Sequence, residues 1–551
     1  MNILFAFADD WGRYASAYAG HDGPNSINSL VSTPNFDRIA REGALFRNAF
    51  VPAPTCTPCR SAILSGSYFW QTGLGAILIG AVWDDTIPTY PLELEKAGYH
   101  IGFTYKVWSP GKSYDAPYGG LRTAYMGAGR NFGRFSHYVT ERAKEVGVEP
   151  AKNELYDEVR KNFDAFLDAR PPDKPFCYWW GPTNTHRTWE QGSGKALWGL
   201  EPDSLQGKMP AFLPDVPDVR EDFCDYLGEC QAYDAGLGVL LDRLEEIGEL
   251  DNTLIVVSGD HGIPGIPRGK CNLYNIGCEV ALAARWPGRI KAGRVVDDFI
   301  NLMDLAPTFL EAAGVAIPDT MTAKSLMPLL MNPDSGQADP SRTYVITGRE
   351  RHVHTAREGG LPYPQRSIRT EDYLYIINFE PDRWPMGDPI GVDHPGAEQR
   401  DSAGAGSSGN GWDAEGEKRP GDEQYMSVGV DHPGAEFPSY EKLQWDTHTA
   451  YSDLDASPTK AWMVYHRYDR EIRPLFELGF GKRPYEELYD LRNDPDYMRN
   501  VAGDPGFADI KRGLRDALMN VLIEQKDPRV TERPCRFEHA PYAGDLQDFQ
   551  I

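Results

Sequence analysis

Cys56-Thr57-Pro58-Cys59-Arg60-Ser61-Ala62-Ile63-Leu64-Ser65-Gly66 is the segment of this chain richest in chemistry. It sets a thiol on a helix-entry stretch with proline at +2, arginine at +4 and glycine at +10. On spacing alone the pattern marks a reactive thiol. Two further groups stand out, Asp9-Asp10 and Asp260-His261, each closing a short apolar run. Their carboxylates are hard oxygen donors of the kind that Ca²⁺ or Mg²⁺ takes, and the imidazole of His261 extends the choice to Mn²⁺. Taken singly, such an acid reads as a loop-starting or helix-capping residue; two groups at separate strand ends argue for a shared site.

The elements that must position these residues follow from the hydrophobic pattern. Residues 3–8, 176–180 and 254–257 are nearly all apolar and stop at polar residues or glycine, which predicts strands buried on both faces, as in a parallel sheet. Helices are predicted between them over 34–42 behind a Thr33 cap, over 153–169, and over 222–247 with Gly248 as the stop. Alternating strands and helices predict an α/β sandwich. In such sheets ligands collect beyond the carboxyl ends of the strands, and that rule brings Asp9, Asp10, Asp260 and His261 together.

A chain of 551 residues exceeds one small core. The expected division is a large catalytic domain over 1–360 and a smaller α+β domain over 361–551 with an antiparallel sheet. Residues 367–379 alternate around a turn like a hairpin, and Glu487-Leu-Tyr-Asp-Leu reads as a later strand. A last helix is predicted over 507–524, with Ile510, Leu514, Leu518 and Leu522 as its buried stripe. The Gly-, Ser- and Asp-rich stretch at about 386–440 contains Gly-Val-Asp-His-Pro-Gly-Ala-Glu twice, at 391–398 and 429–436. The octapeptide is too short for a solenoid unit and reads as a duplicated loop, with a lid, an oligomer arm or an extra metal site as the alternatives.

The net charge of −25 argues against nucleic-acid and anionic-membrane partners. An anionic substrate would have to meet a local basic pocket, because charge is screened beyond about 10 Å. Residues 1–10 lack the basic start of a signal peptide, and no apolar stretch is long enough for a membrane span. Eight cysteines are too sparse for a disulfide scaffold. Reduced thiols in the cytoplasm are the expectation, although a removed export signal would leave no trace here.

The Cys56 segment resembles the signature of the type I sulfatases of the alkaline phosphatase superfamily, in which the cysteine becomes formylglycine, an aldehyde that hydrates to a geminal diol. Cys59 stands where the family usually has Ser, and Ser65 where Thr is common. The likeness extends through Thr33-Pro34-Asn35-Phe36-Asp37, Ser258-Gly259-Asp260-His261-Gly262-Ile263-Pro264 and Asn301-Leu302-Met303-Asp304-Leu305-Ala306-Pro307-Thr308. Asn272-Leu-Tyr, Tyr363-Pro with Arg366-Ser, and Glu487-Leu-Tyr-Asp with Asn493-Asp-Pro resemble the N-sulfoglucosamine sulfohydrolase (sulfamidase) branch.

The resemblance implies an alkaline phosphatase-like sheet sandwiched by helices and one divalent metal, Ca²⁺ first, bound by Asp9, Asp10, Asp260, His261 and the modified Cys56. It implies that Arg60 hydrogen-bonds the diol, that Lys106 and Lys270 clamp the sulfuryl group, and that His186 protonates the leaving group. Glu350, Arg351 and His352 fall where sulfamidase-like proteins place sugar-contacting groups, the alternative being a domain-interface salt bridge. Two residues after Lys106 the family carries His and this chain carries Trp108, so His352 or His354 is the expected substitute.

The implied reaction is attack of one diol oxygen on sulfur, loss of an alcohol or amine, and ejection of sulfate by the second hydroxyl. The partners it implies are a small sulfated substrate (aryl sulfate, sulfated sugar or sulfamate) and a formylglycine-generating enzyme for maturation. A homo-oligomer is compatible with the insertion and with the tail from Glu538. The rival readings are a phosphonate or phosphate ester hydrolase of the same superfamily and a noncatalytic sulfoglycan-binding protein.

Overall fold

The structure, a computed structural model, describes residues 1–23, 25–389 and 438–541. Its centre is a seven-stranded sheet of β1 (Asn2–Ala8), β2 (Ala44–Phe50), β3 (His100–Tyr105), β4 (Phe176–Gly181), β5 (Thr253–Gly259), β6 (Leu282–Arg285) and β7 (Arg294–Asn301), in the order β3-β4-β1-β5-β6-β2-β7. All pairings are parallel except those of β6, which runs against β5 and β2. β1 and β5 are buried throughout, which is why their sequences read as continuous apolar runs rather than as alternation.

The two faces of β1 feed two cores. Leu4 and Ala6 pack with Phe36, Phe163 and Leu237, from the helices Pro34–Glu42, Val148–Ala169 and Pro217–Glu246. Ile3, Phe5 and Phe7 pack with Ile63 and Phe309, from the helices Cys56–Ser65 and Leu305–Ala312. The predicted helices are present, the second and third extended at their N-terminal ends. Thr33 does not cap the first of them. Its hydroxyl donates to Asp37 and its own N–H to Ser16. Asp234 of the long helix does the capping instead, accepting from the backbone N–H groups of Asn35 and Phe36 at 3.1 and 2.7 Å.

A second sheet is antiparallel and four-stranded, ordered β11-β10-β9-β8, and comprises β8 (Tyr344–Arg349), β9 (Gln365–Thr370), β10 (Tyr373–Asn378) and β11 (Glu486–Asp490). The hairpin of β9 and β10 falls where alternation predicts it. The sheet takes its first strand upstream of residue 361, because β8 pairs with β9 in the register Ile346–Ile368. The helix Ala508–Glu524 covers this sheet with Leu518 and Leu522 buried and Leu514 half-buried against the same core. All eight cysteines are free, and no helix among the described residues is long and apolar enough to cross a membrane. Both octapeptide copies lie outside the described residues.

Candidate active site

Every strand that supplies the site does so at its carboxyl end. Asp9 and Asp10 follow β1, and Asp10 adopts a φ of 57°, a left-handed turn uncommon outside glycine. That turn aims its N–H at Asp260 Oδ1, 2.7 Å away beyond β5. Tyr105, the last residue of β3, also turns left-handed, with a φ of 68°, before Lys106. Cys56 opens the helix Cys56–Ser65 just after β2, and His186 lies on the loop leaving β4.

The side chains meet in a sealed cluster. Cys56 Sγ lies 3.4 Å from His261 Nε2 and 3.8 Å from Asp10 Oδ1. Arg60 donates to Asp260 Oδ2 at 2.8 Å and to Asp9 Oδ1 at 2.9 Å, and Lys106 Nζ lies 2.8 Å from Asp9 Oδ2. Lys270 Nζ sits 2.9 Å from Asp10 Oδ2 and 3.2 Å from His186 Nε2. Potential ligand atoms of Asp10, Cys56, Asp260 and His261 lie within 4.8 Å of one another, as do those of Asp9, Asp10, Cys56 and His186. Each set brings two carboxylates, a thiol and an imidazole together, donors that suit a hard or borderline divalent cation, so the residues fit the metal.

Charge compensation explains how so many acids stay buried. Burial alone would raise the Asp9 carboxyl, but Lys106 and Arg60 hold it well below the usual range. Burial prevails at Asp260 and pushes it up despite His261 and Arg60. Lys106 is raised by Asp9, against the opposing pull of burial. Burial, reinforced by Asp9, raises the Cys56 thiol well above its ordinary value, so the unmodified thiol is protonated and a poor nucleophile.

The nine residues Asp9, Asp10, Cys56, Arg60, Lys106, His186, Asp260, His261 and Lys270 therefore converge. The 350–352 triplet divides. Glu350 is buried in ion pairs with Arg366 and Arg529, at 2.9 and 2.6 Å. Arg351 donates to backbone carbonyls of Ile79, Ala540 and Pro541, which ties the C-terminal segment down. His352 faces the site's edge, its Nδ1 2.6 Å from the hydroxyl of Thr55, the residue before Cys56. Trp108 packs on the Cys56 helix. Its indole N–H donates to Ser61 on the Cys56 helix at 2.8 Å, and its ring meets Trp83 edge to face.

Two contributors carried no signal in the sequence. Thr185 donates its hydroxyl to the Asp9 carbonyl at 2.5 Å. Asp455 comes from the far C-terminal part of the chain and places Oδ2 3.2 Å from Lys270 Nζ. Thr185 merely adjoins His186, and only the three-dimensional path of the chain brings Asp455 in.

A mostly parallel sheet between helices carries a buried acid cluster at its carboxyl edge, beside a cysteine on a helix entry, which is the arrangement of an α/β-sandwich enzyme with its site at the strand ends. Residues 1–315 match the Sulfatase family, and residues 268–389 match the C-terminal region of N-sulphoglucosamine sulphohydrolases. The chain belongs to the sulfatase family and is a hydrolase of that class. It is similar to human N-sulphoglucosamine sulphohydrolase, with 26% identity across 96% of this chain and 91% of the relative. A solved enzyme in complex with its substrate, D-glucosamine-2-N,6-O-disulfate, has the same fold at a TM-score of 0.56 and 19% identity, covering 96% of this chain and 99% of that one. The phosphonate monoester hydrolase of Agrobacterium radiobacter shares it too, at a TM-score of 0.58 and 16% identity over 95% and 96% of the two chains.

Proposed function

We propose that this enzyme releases sulfate from sulfate esters or sulfamates of small sugars or aryl compounds, using formylglycine made from Cys56 and one divalent cation, Ca²⁺ before Mn²⁺ or Mg²⁺. The observation that carries this reading is Cys56 Sγ at 3.4 Å from His261 and 3.8 Å from Asp10, inside a cluster bracketed by Lys106 and Lys270.

The cation, held by Asp9, Asp10, Asp260 and His261, supplies Lewis-acid polarisation of the sulfuryl oxygens. The hydrated formylglycine supplies an oxygen nucleophile that a protonated thiol does not. Arg60 neutralises Asp9 and Asp260 and keeps their carboxylates aimed at one point. Lys106 and Lys270 bracket the site with positive charge and so draw an anion into a chain of net charge −25. Nδ1 of His186 lies 2.5 Å from the Arg187 carbonyl, which makes Nδ1 the donor, so Nε2 delivers a proton to the leaving group from the imidazolium form of the ring. Maturation calls for a formylglycine-generating enzyme as a partner.

The test is peptide mass of Cys56 in active protein, together with sulfate release from N-sulfoglucosamine, an aryl sulfate and a phosphonate ester. A loss of about 18 Da at Cys56, the change that formylglycine chemistry makes in a cysteine, with turnover that disappears in Cys56→Ala, is the expected result. An unmodified thiol in protein from its native host, without turnover, would favour a binding protein. Faster turnover of the phosphonate ester would favour the phosphoryl-transfer reading.

A further inference from the structure

Arg187 directly follows the proposed leaving-group acid, and its side chain is anchored on several sides. The guanidinium forks onto Asp222 of the helix Pro217–Glu246 at 2.7 and 2.9 Å, with both side chains buried. Nε donates to the Pro264 carbonyl at 2.9 Å, on the loop that follows Asp260 and His261. The charge lies over the Trp189 ring, 4.0 Å from its centroid, and the Trp189 indole N–H donates to the His186 carbonyl at 3.0 Å. Gly265 leaves room for this side chain, since a Cβ there would stand 2.3 Å from Arg187 Nε.

Asp222 is anchored in turn. It accepts from the Thr459 hydroxyl at 2.6 Å and from the Thr459 N–H at 3.3 Å, while Ser457 Oγ donates to the Gly265 carbonyl at 2.7 Å. The pair therefore joins the His186 loop, the loop beyond β5, the long helix and the C-terminal part of the chain at one point. A bidentate guanidinium–carboxylate pair fixes direction as well as distance. What it fixes here is the residue whose own carbonyl receives His186 Nδ1. On the far side of the same ring, Nε2 lies 3.2 Å from Lys270 Nζ.

We propose that Arg187 and Asp222 are positioning residues that aim the His186 ring: their ion pair immobilises the Arg187 carbonyl, and that carbonyl sets which ring nitrogen faces the leaving group. This rests on the reaction proposed above. The two nitrogens of an imidazole are distinct, and the partner of one decides what the other presents. A ring that loses its anchor turns about the Cβ–Cγ bond and offers Nε2 to the leaving atom only part of the time. The cost depends on the leaving group. As the bond from sulfur to the leaving atom breaks, its electron pair goes to that atom, and the proton from His186 Nε2 neutralises it. An acidic phenol carries the negative charge unaided, whereas a weakly acidic phenol, an alcohol or an amine needs the proton.

The experiment measures kcat for 4-nitrophenyl sulfate, phenyl sulfate and N-sulfoglucosamine in formylglycine-carrying wild-type, Asp222→Asn and Arg187→Lys enzymes, with Tm and metal content recorded on the same preparations. Arg187→Lys keeps the charge but not the fork. We expect the ratio of kcat for 4-nitrophenyl sulfate to kcat for phenyl sulfate to rise about tenfold or more in both variants, whatever the absolute rates, because only the second leaving group depends on the proton. Losses shared equally by the two esters, with the ratio unchanged, would make the pair a staple of the fold and overturn the proposal while the reaction stands. Should Asp222→Asn fail to fold, the ratio in Arg187→Lys decides in the same way. No sulfate from any substrate with the wild-type enzyme would remove the reaction itself, and the proposal with it.

Discussion

Arg60 Nε donates to Asp260 Oδ2 at 2.8 Å with both side chains fully buried, and the same guanidinium reaches Asp9. A residue one turn into the Cys56 helix thereby ties the ends of β1 and β5 together. Removing it strands two carboxylates without their partner, a defect that costs about 3–5 kcal/mol when one half of a buried pair is lost. Set against a typical total of about 5–15 kcal/mol, Arg60→Ala should fold poorly. Arg60→Lys keeps the charge but not the fork that spans both acids, and should fall between. Urea unfolding of the three proteins gives the order.

Gly259 closes β5 immediately before Asp260. A Cβ there would stand 2.1 Å from the Trp11 carbonyl, a backbone atom with nowhere to go. Gly259→Ala should therefore push β1 and β5 apart at the level of Asp9, Asp10 and Asp260. Sulfate release should fall by at least a hundredfold. Metal affinity, measured by calorimetric titration of the stripped protein, should fall with it, and an unchanged affinity would contradict this account of the strand ends.

Chelation separates chemistry from folding. With the metal stripped, Asp9, Asp10 and Asp260 keep Arg60, Lys106 and Lys270 as partners, so the acids are not left to repel one another unopposed. Metal binding stabilises by mass action, about 2.7 kcal/mol at a hundredfold excess over Kd. Treatment with EDTA should abolish sulfate release while Tm drops by only a few degrees. Titrating back Ca²⁺, Mg²⁺ and Mn²⁺ then ranks the ions, and His261 among the ligands is the feature that would raise Mn²⁺ in that order.

The site was legible wherever chemistry and local structure coincide. Asp9, Asp10, Asp260 and His261 end strands buried on both faces, so the apolar runs that announce β1 and β5 also locate the acids. Cys56 and Arg60 share one helix, and their spacing survives in the chain as a motif. Asp455 was illegible because its partner Lys270 belongs to a distant segment, and an acid in Ser452-Asp453-Leu454-Asp455 looks like any loop acid. The cap of the helix Pro34–Glu42 was illegible for the same reason: Asp234 supplies it from another helix, while the adjacent Thr33 has the right residue type and bonds elsewhere. Trp108 shows the converse, since its departure from the family pattern was visible in the sequence but its bond to Ser61 was not.

His352 offers a pH test. Burial lowers its pKa to about 3, and its Nδ1 meets the Thr55 hydroxyl next to Cys56. The unfolded chain takes up the proton near pH 6.5. Between these values the unfolded state holds more protons than the native one, so stability rises with pH. The contribution is complete above about pH 6.5 and is lost as pH falls toward the folded value, at up to about 1.4 kcal/mol per pH unit for one group. His352→Asn, which keeps polarity but cannot titrate, should flatten the acid limb of the stability curve between about pH 6.5 and 4. If neutral His352 also helps rebuild the nucleophile in place of the histidine missing at Trp108, kcat in this variant should fall at every pH while KM holds. Urea midpoints across that range, paired with kcat on the same preparations, separate a histidine that only fills space from one that works at Cys56.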